Sequence, residues 1–551
     1  MGVNEINCPI QITDMSVNKS KSELRWVLLW AVTIVVLASI PYIFGIAITP
    51  QGYHFAGFTH NIDDGAVYLS WMRQAADGNF FIRNLFTSQP QASAQFNILF
   101  LIMGWLTALT HLPPIIIFHA FRIGLGIALI YCIWWFSFLF LKTANERRLL
   151  IPLIGLSAGV GWLIPGAAAP SGSVDVWQPE AITFLSIYLN PLFLAGLILM
   201  LGSLYFFTLA QRTGKYKYGI FAGVCLLLLG NIHTYDVLTV ATVWIAYLLL
   251  VAILERKLPT KTIAISTIAA LIAIPSIAYQ VYLYRIDEVF RARANSPIPS
   301  PDIWAFFAGY GLVLIGALAG IKLCIIKRRN VDDPNKLLLI VWAVIGFILP
   351  YIPIGQQRKL IMGLHIPLCI LCAYALTYLL VRLKQSTARG LLLAAIIFTT
   401  GSNVLFLSRD MSLLSIGETA PHYAAFISDA EIDAMRYLRD HATLNDIILA
   451  PPSFALFVPA IAGRQVYYGH WSETPYYSSK ISAWAAYIDA STLPESRNEI
   501  LRESGASYVV FLHPSGGVYP KRQKVDGNLE VVFTQKSVLI CRVLQASRPS
   551  N

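Results

Sequence analysis

The sequence has 551 residues, of which 56% are hydrophobic and only 13% are charged, and its mean hydropathy is +0.60. Soluble domains carry about 25% charged residues, so this composition argues against a soluble globular protein. The net charge of +11 is a feature of many nucleic-acid-binding proteins. The positions of the basic residues favour a different explanation.

Apolar residues fall in long blocks, each close to the roughly 20 residues that a helix needs to cross a bilayer. The first block, 26–48, is too long for the core of a cleavable signal peptide, so we expect it to remain as an anchor. The sequence predicts an α-helical polytopic membrane protein of about eleven transmembrane helices. These lie at 26–48, 113–141, 149–166, 187–209, 218–234, 237–254, 262–283, 303–321, 337–353, 360–381 and 390–408.

The basic residues indicate how these helices are oriented. With the tail 1–25 in the cytoplasm, the cytoplasmic segments hold 20 Lys and Arg residues and the external loops hold seven. Such an excess on the cytoplasmic side is the positive-inside bias of membrane proteins. We therefore expect a transmembrane module, 26–408, in the cytoplasmic membrane with its N-terminus inside, and no nucleic-acid partner.

The first external loop, 49–112, is predicted to be large. Its apolar stretch 96–109 is too short to cross the bilayer and is typical of an interfacial or re-entrant segment. Earlier in the loop, apolar side chains recur at helical spacing from Tyr68 to Ala75, and Gly78 is a stop signal. This pattern predicts an amphipathic helix that lies on the membrane surface.

After Ser408 the charged residues return, and strand-like runs alternate with helical ones. Residues 409–551 are therefore predicted to form a soluble α/β domain on the extracytoplasmic side. A helix is expected from Glu431 to His441. Strands are expected at 447–450, 465–468, 507–512 and within 529–543. Aromatic and polar residues cluster from Tyr467 to Tyr477, which suits stacking on sugar faces and also suits the strands of a small core.

The candidate site begins with an acidic pair, Asp63 and Asp64, which follows His60 just before the predicted surface helix. Two adjacent carboxylates at a membrane surface suit removal of a proton from a hydroxyl group, or binding of a cation. Helix capping is the simpler interpretation, because Asp is favoured at the N-cap and in the first helical turn.

Two external turns carry further candidates. His233, Tyr235 and Asp236 lie at a tight turn between two spans and suit either the lining of a cavity or ordinary turn chemistry. Arg358 and Lys359 lie at another external turn. Two cations at such a position bind a phosphate group, or they extend toward lipid headgroups.

Three more arginines complete the set. Arg291 and Arg293 lie in an external segment of mixed charge that suits a binding surface or a solvated loop, and Arg122 lies inside a predicted span. An ionisable side chain there is costly and normally faces a polar interior. The acidic pair and both external turns share one face in a topology that the charge bias indicates independently. An acidic site among cations, on a bundle able to hold a lipid tail, suits an enzyme that acts on a lipid-linked phosphate.

With these features the chain resembles the GT-C superfamily of glycosyltransferases, polytopic enzymes that use polyprenyl-phosphate sugars. The shared features are an acidic pair in a large first external loop, surface helices in that loop, many spans and an external C-terminal domain. The family's pair is often Asp-Glu, whereas this chain has Asp63 and Asp64. This departure leaves the division of work between the two carboxylates open.

The resemblance implies an inverting transfer from a polyprenyl-phosphate sugar to a lipid, glycan or protein acceptor, in contact with membrane lipid. Asp63 is then expected to be the general base, and Asp64 to orient it or to bind a cation. The donor phosphate is expected to bind Arg358 and Lys359, with a contribution from Arg291 or Arg293.

Some members of the superfamily also use a divalent metal ion such as Mg²⁺ or Mn²⁺. If this chain does so, Asp64, Asp175 and Glu180 are the candidate ligands, although nothing in their spacing demands a metal. The sugar, the length of the polyprenyl chain and the acceptor do not follow from the sequence.

Two other classes of protein share some of these features. A transporter or lipid flippase is also polytopic, but it normally has polar or interrupted helices near the bilayer midplane and repeated halves. A noncatalytic envelope assembly protein would use the external domain for binding, and the acidic pair would only cap a helix. Replacement of Asp63 separates these alternatives, because only an enzyme loses turnover while it keeps its fold.

Overall fold

The computed structural model describes residues 21–167, 172–327, 335–416, 425–513 and 528–544. Most of the predicted N-terminal tail lies outside these ranges, as do residues 545–551 of the predicted C-terminal domain. The helices up to residue 415 are α1 (Lys21–Ala47), α2 (Ile62–Ala76), α3 (Ile98–Thr110), α4 (Pro114–Ser137), α5 (Ala144–Leu156), α6 (Thr183–Leu189), α7 (Pro191–Thr213), α8 (Tyr216–Ile232), α9 (Tyr235–Glu255), α10 (Thr260–Ile286), α11 (Glu288–Ala294), α12 (Ile303–Lys327), α13 (Asn335–Ile348), α14 (His365–Leu380) and α15 (Gln385–Ser415).

Eight helices of the described ranges are long and apolar enough to cross a membrane. They correspond to α1, α4, α7, α9, α10, α12, α14 together with the turn before it, and α15. The predicted helical, polytopic class is confirmed, but the count of eleven is not. The predicted spans 149–166, 218–234 and 337–353 coincide with the shorter helices α5, α8 and α13, which have 13, 17 and 14 residues.

The predicted span 149–166 differs from the structure for a physical reason. Helix α5 ends at Leu156, and the chain continues as irregular backbone whose amides bond to neighbouring helices: Ala158 N donates to Thr399 O at 2.6 Å, and Val160 N donates to Ala308 O at 2.9 Å. Irregular backbone is tolerated inside a bundle when its polar groups are satisfied in this way. Apolar composition alone does not distinguish such a segment from a helix.

The first loop contains both of its predicted short helices. α2 matches the expected surface helix and ends just before Gly78, whose φ is 94°. α3 matches the short apolar stretch 96–109. The two helices pack closely because Gly104 of α3 lies against α2: a Cβ on this residue would meet Ala75 Cβ at 2.4 Å.

The C-terminal region contains a five-stranded sheet flanked by helices. The strands are β3 (Ile447–Leu449), β4 (Gln465–Val466), β5 (Ala506–Leu512), β6 (Leu529–Gln535) and β7 (Val538–Val543), in the order β4-β3-β5-β7-β6, and β4, β3 and β5 are parallel. The helices are α16 (Asp429–His441), α17 (Pro452–Ile461), α18 (Tyr477–Ile488) and α19 (Pro494–Ser504). The sequence located α16 and all of these strands, and the segment 529–543 forms an antiparallel hairpin.

The first loop is joined to the C-terminal region at two places in the sheet structure. Strands β1 (Tyr53–Phe55) and β2 (Phe426–Ser428) form a separate antiparallel pair, so the chain just after α1 pairs with the chain just before α16. At the other side of the region, Val466 N of β4 donates to Leu85 O at 2.9 Å. The loop therefore extends the C-terminal sheet at its edge.

A shared hydrophobic core strengthens this connection. Trp71 and Met72 of α2 belong to the same buried cluster as Met435 of α16 and Phe454 and Val458 of α17. Burial of large apolar side chains stabilises such a contact by about 1.5–3 kcal/mol each. The start of α2, where the acidic pair lies, is thus held rigidly against the C-terminal region.

Candidate active site

The acidic pair lies in the first turn of α2. The residue before this helix, Asn61, has a left-handed backbone (φ 46°), a conformation that Asn tolerates better than most residues, and its side chain makes no capping hydrogen bond. The side chains of Asp63 and Asp64 are 40% and 44% exposed. Carboxylates at a helix N-terminus are stabilised by the helix dipole. The position therefore favours the charged form of both side chains and leaves part of their surface exposed.

A loop of the C-terminal region, His470 to Glu473, lies against the pair. Trp471 Nε1 donates to Asp63 Oδ2 at 3.1 Å. His470 Nε2 lies 3.5 Å from Asp63 Oδ2 and 3.4 Å from Asp64 Oδ1. The carboxylates are therefore in contact with two N–H-bearing rings from a distant part of the chain.

A cavity of about 520 Å³ opens beside the pair, and Asp64 lies on its wall whereas Asp63 does not. The ionisable groups that share this wall come from five separate segments of the chain. They include Glu180, His233, Tyr235, Arg293, Arg358, Lys359 and Glu473. The cavity also borders Ile277 and Val281, which are half-exposed apolar residues of α10. One side of the cavity therefore continues into an apolar surface.

The cations of the cavity rest on aromatic rings. The Arg358 guanidinium carbon lies 5.0 Å from the centre of the Trp177 ring, and Lys359 Nζ lies 4.9 Å from the centre of the Tyr235 ring. Arg358 is only loosely paired with Glu180, at 4.0 Å. Lys359 has no carboxylate within ion-pair distance among the described residues. Such incompletely paired cations favour the binding of an anion.

Arg293 links the cavity to the C-terminal loop. Its Nη1 lies 3.2 Å from Glu473 Oε1, and its guanidinium carbon lies 5.8 Å from the centre of the Trp71 ring in α2. One arginine therefore contacts both the helix that carries the acidic pair and the loop that covers it.

The two carboxylates differ in their acid strength. Partial burial raises the pKa of Asp63, and the negative charge of Asp64 raises it further. Partial burial also raises the pKa of Asp64, but His470, Lys359 and Arg358 outweigh this effect and hold its pKa below the usual value. Asp64 is therefore ionised at neutral pH in a cavity that also contains cations.

The external turn that contains His233, Tyr235 and Asp236 lies partly at the cavity wall and partly in the protein interior. His233 and Tyr235 line the cavity, whereas Asp236 is completely buried behind them. Asp236 Oδ2 lies 3.0 Å from His233 Nδ1. The carboxylate thus lies beside the histidine ring at the cavity wall, but it makes no hydrogen bond to the ring.

Four of the predicted site residues lie elsewhere. Arg122 is buried between helices, where it donates to Ser39 Oγ at 2.9 Å and to Ile187 O at 3.2 Å. His60 pairs with the buried Asp410, at 3.3 Å. Arg291 is not among the lining residues of the cavity. The fourth is the metal-ligand candidate Asp175.

Among the predicted metal ligands, Asp64 and Glu180 share the cavity and Asp175 does not. Asp175 is buried, where it accepts hydrogen bonds from Gly161 N at 3.1 Å and from Ser173 Oγ. Within the described ranges, no three His, Cys, Asp or Glu side chains converge as a metal-binding group.

The sequence did not assign His470 or Glu473 to the site. Both lie in the aromatic and polar cluster around Trp471, whose sequence suits a core strand as well as a binding loop.

The chain was compared with known proteins. No protein-family model matches the sequence, and no curated protein matches it. Among solved structures, an oligosaccharyltransferase from Archaeoglobus fulgidus in complex with an inhibitory peptide and a dolichol-phosphate is similar over 87% of this chain and 69% of that one, with 12% identity and a TM-score of 0.52. The same enzyme in complex with zinc and sulfate is similar over 87% and 67%, with 13% identity and a TM-score of 0.51.

Oligosaccharyltransferases are glycosyltransferases of the GT-C superfamily. The chain has the GT-C fold. This likeness, at TM-scores of 0.51 and 0.52, confirms at the level of the fold the GT-C resemblance drawn from the acidic pair and its large loop. A further structure, ArnT from Cupriavidus metallidurans bound to undecaprenyl phosphate, is similar over 95% of this chain and 99% of that one, with 13% identity and a TM-score of 0.49.

Proposed function

We propose that this chain is a membrane glycosyltransferase that transfers a hexosyl or pentosyl group from a polyprenyl-phosphate donor to an extracytoplasmic acceptor, with inversion. One observation carries the proposal: the ionised Asp64 shares a 520 Å³ cavity with the incompletely paired cations Arg358 and Lys359. A base and a phosphate-binding group are the two elements that such a transfer needs. The GT-C fold supports the general class.

The donor phosphate is assigned to Arg358 and Lys359, with Arg293 beside them. These cations stabilise the negative charge that develops on the leaving phosphate. The half-exposed apolar residues Ile277 and Val281 at the same cavity supply a path for the polyprenyl chain toward the lipid. A similar structure holds dolichol-phosphate, which agrees with a polyprenyl phosphate as the donor's lipid.

The reaction is a single displacement. A carboxylate of the pair takes the proton of the acceptor hydroxyl, whose oxygen then attacks the anomeric carbon through an oxocarbenium-like transition state. The bond from that carbon to the phosphate oxygen breaks, and its electron pair leaves with the polyprenyl phosphate. Attack from the face opposite the leaving group inverts the anomeric centre.

Asp63 and Asp64 are both candidates for the base. The sequence favours Asp63, by its position after the first span. The cavity favours Asp64, because a base must reach the hydroxyl that it deprotonates, and only Asp64 lies on the cavity wall. We therefore assign proton removal to Asp64, and assign to Asp63 the orientation of its neighbour.

The orientation of the chain follows from the same proposal. The cavity is lined by Asn61 and Asp64, which follow α1 in the chain, and the charge bias predicts that the loop after α1 faces away from the cytoplasm. The acceptor is then a lipid, glycan or protein outside the cytoplasmic membrane.

The test is mass spectrometry of lipid-linked sugars and of envelope glycans in a strain from which the gene is deleted. We expect one polyprenyl-phosphate sugar to accumulate and the matching sugar to disappear from a glycan, and we expect the wild-type gene to restore both. Unchanged lipid-linked sugars and glycans would overturn the proposal.

A further inference from the structure

The loop from His470 to Glu473 is fixed to the first external loop by several hydrogen bonds. Thr474 Oγ1 donates to Phe86 O at 2.6 Å, and Asn84 Nδ2 donates to Glu473 O at 2.8 Å. Thr474 N in turn donates to His470 O at 2.9 Å. The loop is therefore a built part of the wall around the acidic pair.

The hydrogen bonds of His470 determine which ring nitrogen carries the proton. Its Nδ1 accepts from Ser472 N at 3.2 Å and from Glu473 N at 3.3 Å. A nitrogen that accepts from two backbone N–H groups has no proton of its own, so the neutral ring carries its proton on Nε2. That Nε2 is buried and has no hydrogen-bond partner among the described residues, and it lies 3.5 Å from Asp63 Oδ2 and 3.4 Å from Asp64 Oδ1.

We propose that His470 and Trp471 are positioning residues of the acidic pair, each presenting a ring N–H to the carboxylates across the contact between the C-terminal region and the first loop. The proposal rests on the proposed function. His470 Nε2 lies within 3.5 Å of Asp63 Oδ2 and of Asp64 Oδ1, and Trp471 Nε1 donates to Asp63 Oδ2. The other oxygen of Asp64, Oδ2, is the one that we assign to the acceptor.

The same geometry decides against a metal ion held by His470. A histidine that binds a metal through Nε2 donates a proton from Nδ1 to an acceptor. Here Nδ1 faces the N–H groups of Ser472 and Glu473, which are themselves donors. His470 thus occupies, as an N–H donor, the place between two carboxylates that a divalent cation would suit.

The experiment compares His470→Gln with His470→Asn in the full-length protein. Gln places an amide N–H near the position of Nε2, so it keeps the donor. Asn places its amide near Nδ1, so it keeps an acceptor for the loop but loses the donor to the carboxylates. We expect His470→Gln to stay within several-fold of wild-type kcat and His470→Asn to lose roughly 10- to 100-fold, the effect of one hydrogen bond to a charged group, with KM for the donor unchanged in both.

Trp471→Phe is the companion variant, because it keeps the ring and removes the N–H. We expect a loss of kcat of up to about tenfold. If all three variants lose thermal stability while kcat per folded molecule stays normal, His470 and Trp471 only support the fold and the proposal fails.

A metal titration separates this proposal from its rival without an activity assay. Wild-type protein and His470→Asn are treated with a chelator, dialysed and titrated with ZnCl₂ and MnCl₂ by calorimetry. We expect no stoichiometric binding that the substitution removes. One equivalent of metal bound by wild type and lost in His470→Asn would overturn the proposal. An absence of wild-type transferase activity would instead overturn the proposed function.

Discussion

The group of charges at the start of α1 and the charges of the cavity are organised in different ways. At the start of α1, Arg147 donates to both oxygens of Glu23, from Nε at 2.8 Å and from Nη2 at 3.1 Å, and Trp134 Nε1 donates to the same carboxylate at 2.7 Å. In the cavity, Arg358 lies 4.0 Å from its carboxylate partner, Glu180. We call the first group closed, because its charges are fully paired with one another, and the second group open, because its charges are only loosely paired.

The difference separates structural charges from functional ones. A buried ion pair stabilises a fold only when its geometry is good and its remaining hydrogen-bonding groups are satisfied, and the Glu23 group meets both conditions. The cavity charges leave donors and acceptors available at the cavity wall. We interpret this availability as the space that a substrate phosphate and an acceptor hydroxyl fill.

The largest expected effect is that of Asp64→Asn. This change removes the base but keeps the size of the side chain, so we expect turnover to fall by about a hundredfold to ten-thousandfold at unchanged thermal stability. The assay is sugar transfer by the purified protein from the polyprenyl-phosphate sugar that accumulates in the deletion strain.

Two further variants sharpen this result. Asp63→Asn should lose less turnover than Asp64→Asn, and Asp77→Asn, at the far end of α2, should remain normal. The reverse order of the first two would return the base to Asp63. Near-normal activity in both would reduce the pair to a helix-capping role.

The closed group should respond in the opposite way. Arg147→Met leaves Glu23 buried without its partner, which typically costs about 3–5 kcal/mol of stability. We expect a large drop in the midpoint of thermal unfolding in detergent and normal kcat per folded molecule. The double variant Glu23→Leu, Arg147→Met should recover much of this stability, and a double variant as unstable as the single one would contradict the explanation.

A smaller effect is expected for Lys359→Met. Loss of one phosphate-binding cation should raise KM for the donor by roughly tenfold or more, because a hydrogen bond to a charged group contributes about 1.5–3 kcal/mol and a tenfold change corresponds to about 1.4 kcal/mol. Lys257→Met removes an exposed cation beyond the far end of α9 and is the matched control. Equal donor KM in the two variants would assign Lys359 to lipid headgroups.

The smallest expected effect is a change in pH dependence. Lys359 lowers the pKa of Asp64, so its removal should raise that pKa. A base works only when ionised, and activity therefore falls as the pH falls through its pKa. We expect the acidic limb of the kcat profile to move to higher pH in Lys359→Met than in wild type. A limb that stays in place would indicate that the titrating base is remote from Lys359.

Much of the fold followed from local patterns. The apolar spacing from Tyr68 to Ala75 located α2, and the charged segment from Glu431 to His441 located α16. Helical periodicity depends only on residues that are close together in the sequence. The predicted span 149–166 shows the limit of that signal. Its second half leaves the helix, and an apolar composition does not distinguish that part from the helical part.

The site was predictable only in part, for a related reason. The charge bias placed Asp64, Arg358 and Lys359 on one face, and the structure brings these three residues to one cavity. His470 was out of reach, because its contact depends on how a distant domain packs against the first loop. Arg122 faces a polar interior, as expected, but its partners there are groups of neighbouring helices, so its contacts are structural.

The contact between Trp471 and Asp63 joins positions that are 408 residues apart. A ribosome makes the acidic pair early and its two partners near the end, and domains generally fold in the order of synthesis. A chain that stops before residue 470 would contain every predicted span and both carboxylates, yet it would lack the donors that hold them. Premature termination would therefore leave in the membrane a fragment whose acidic pair lacks both of these partners.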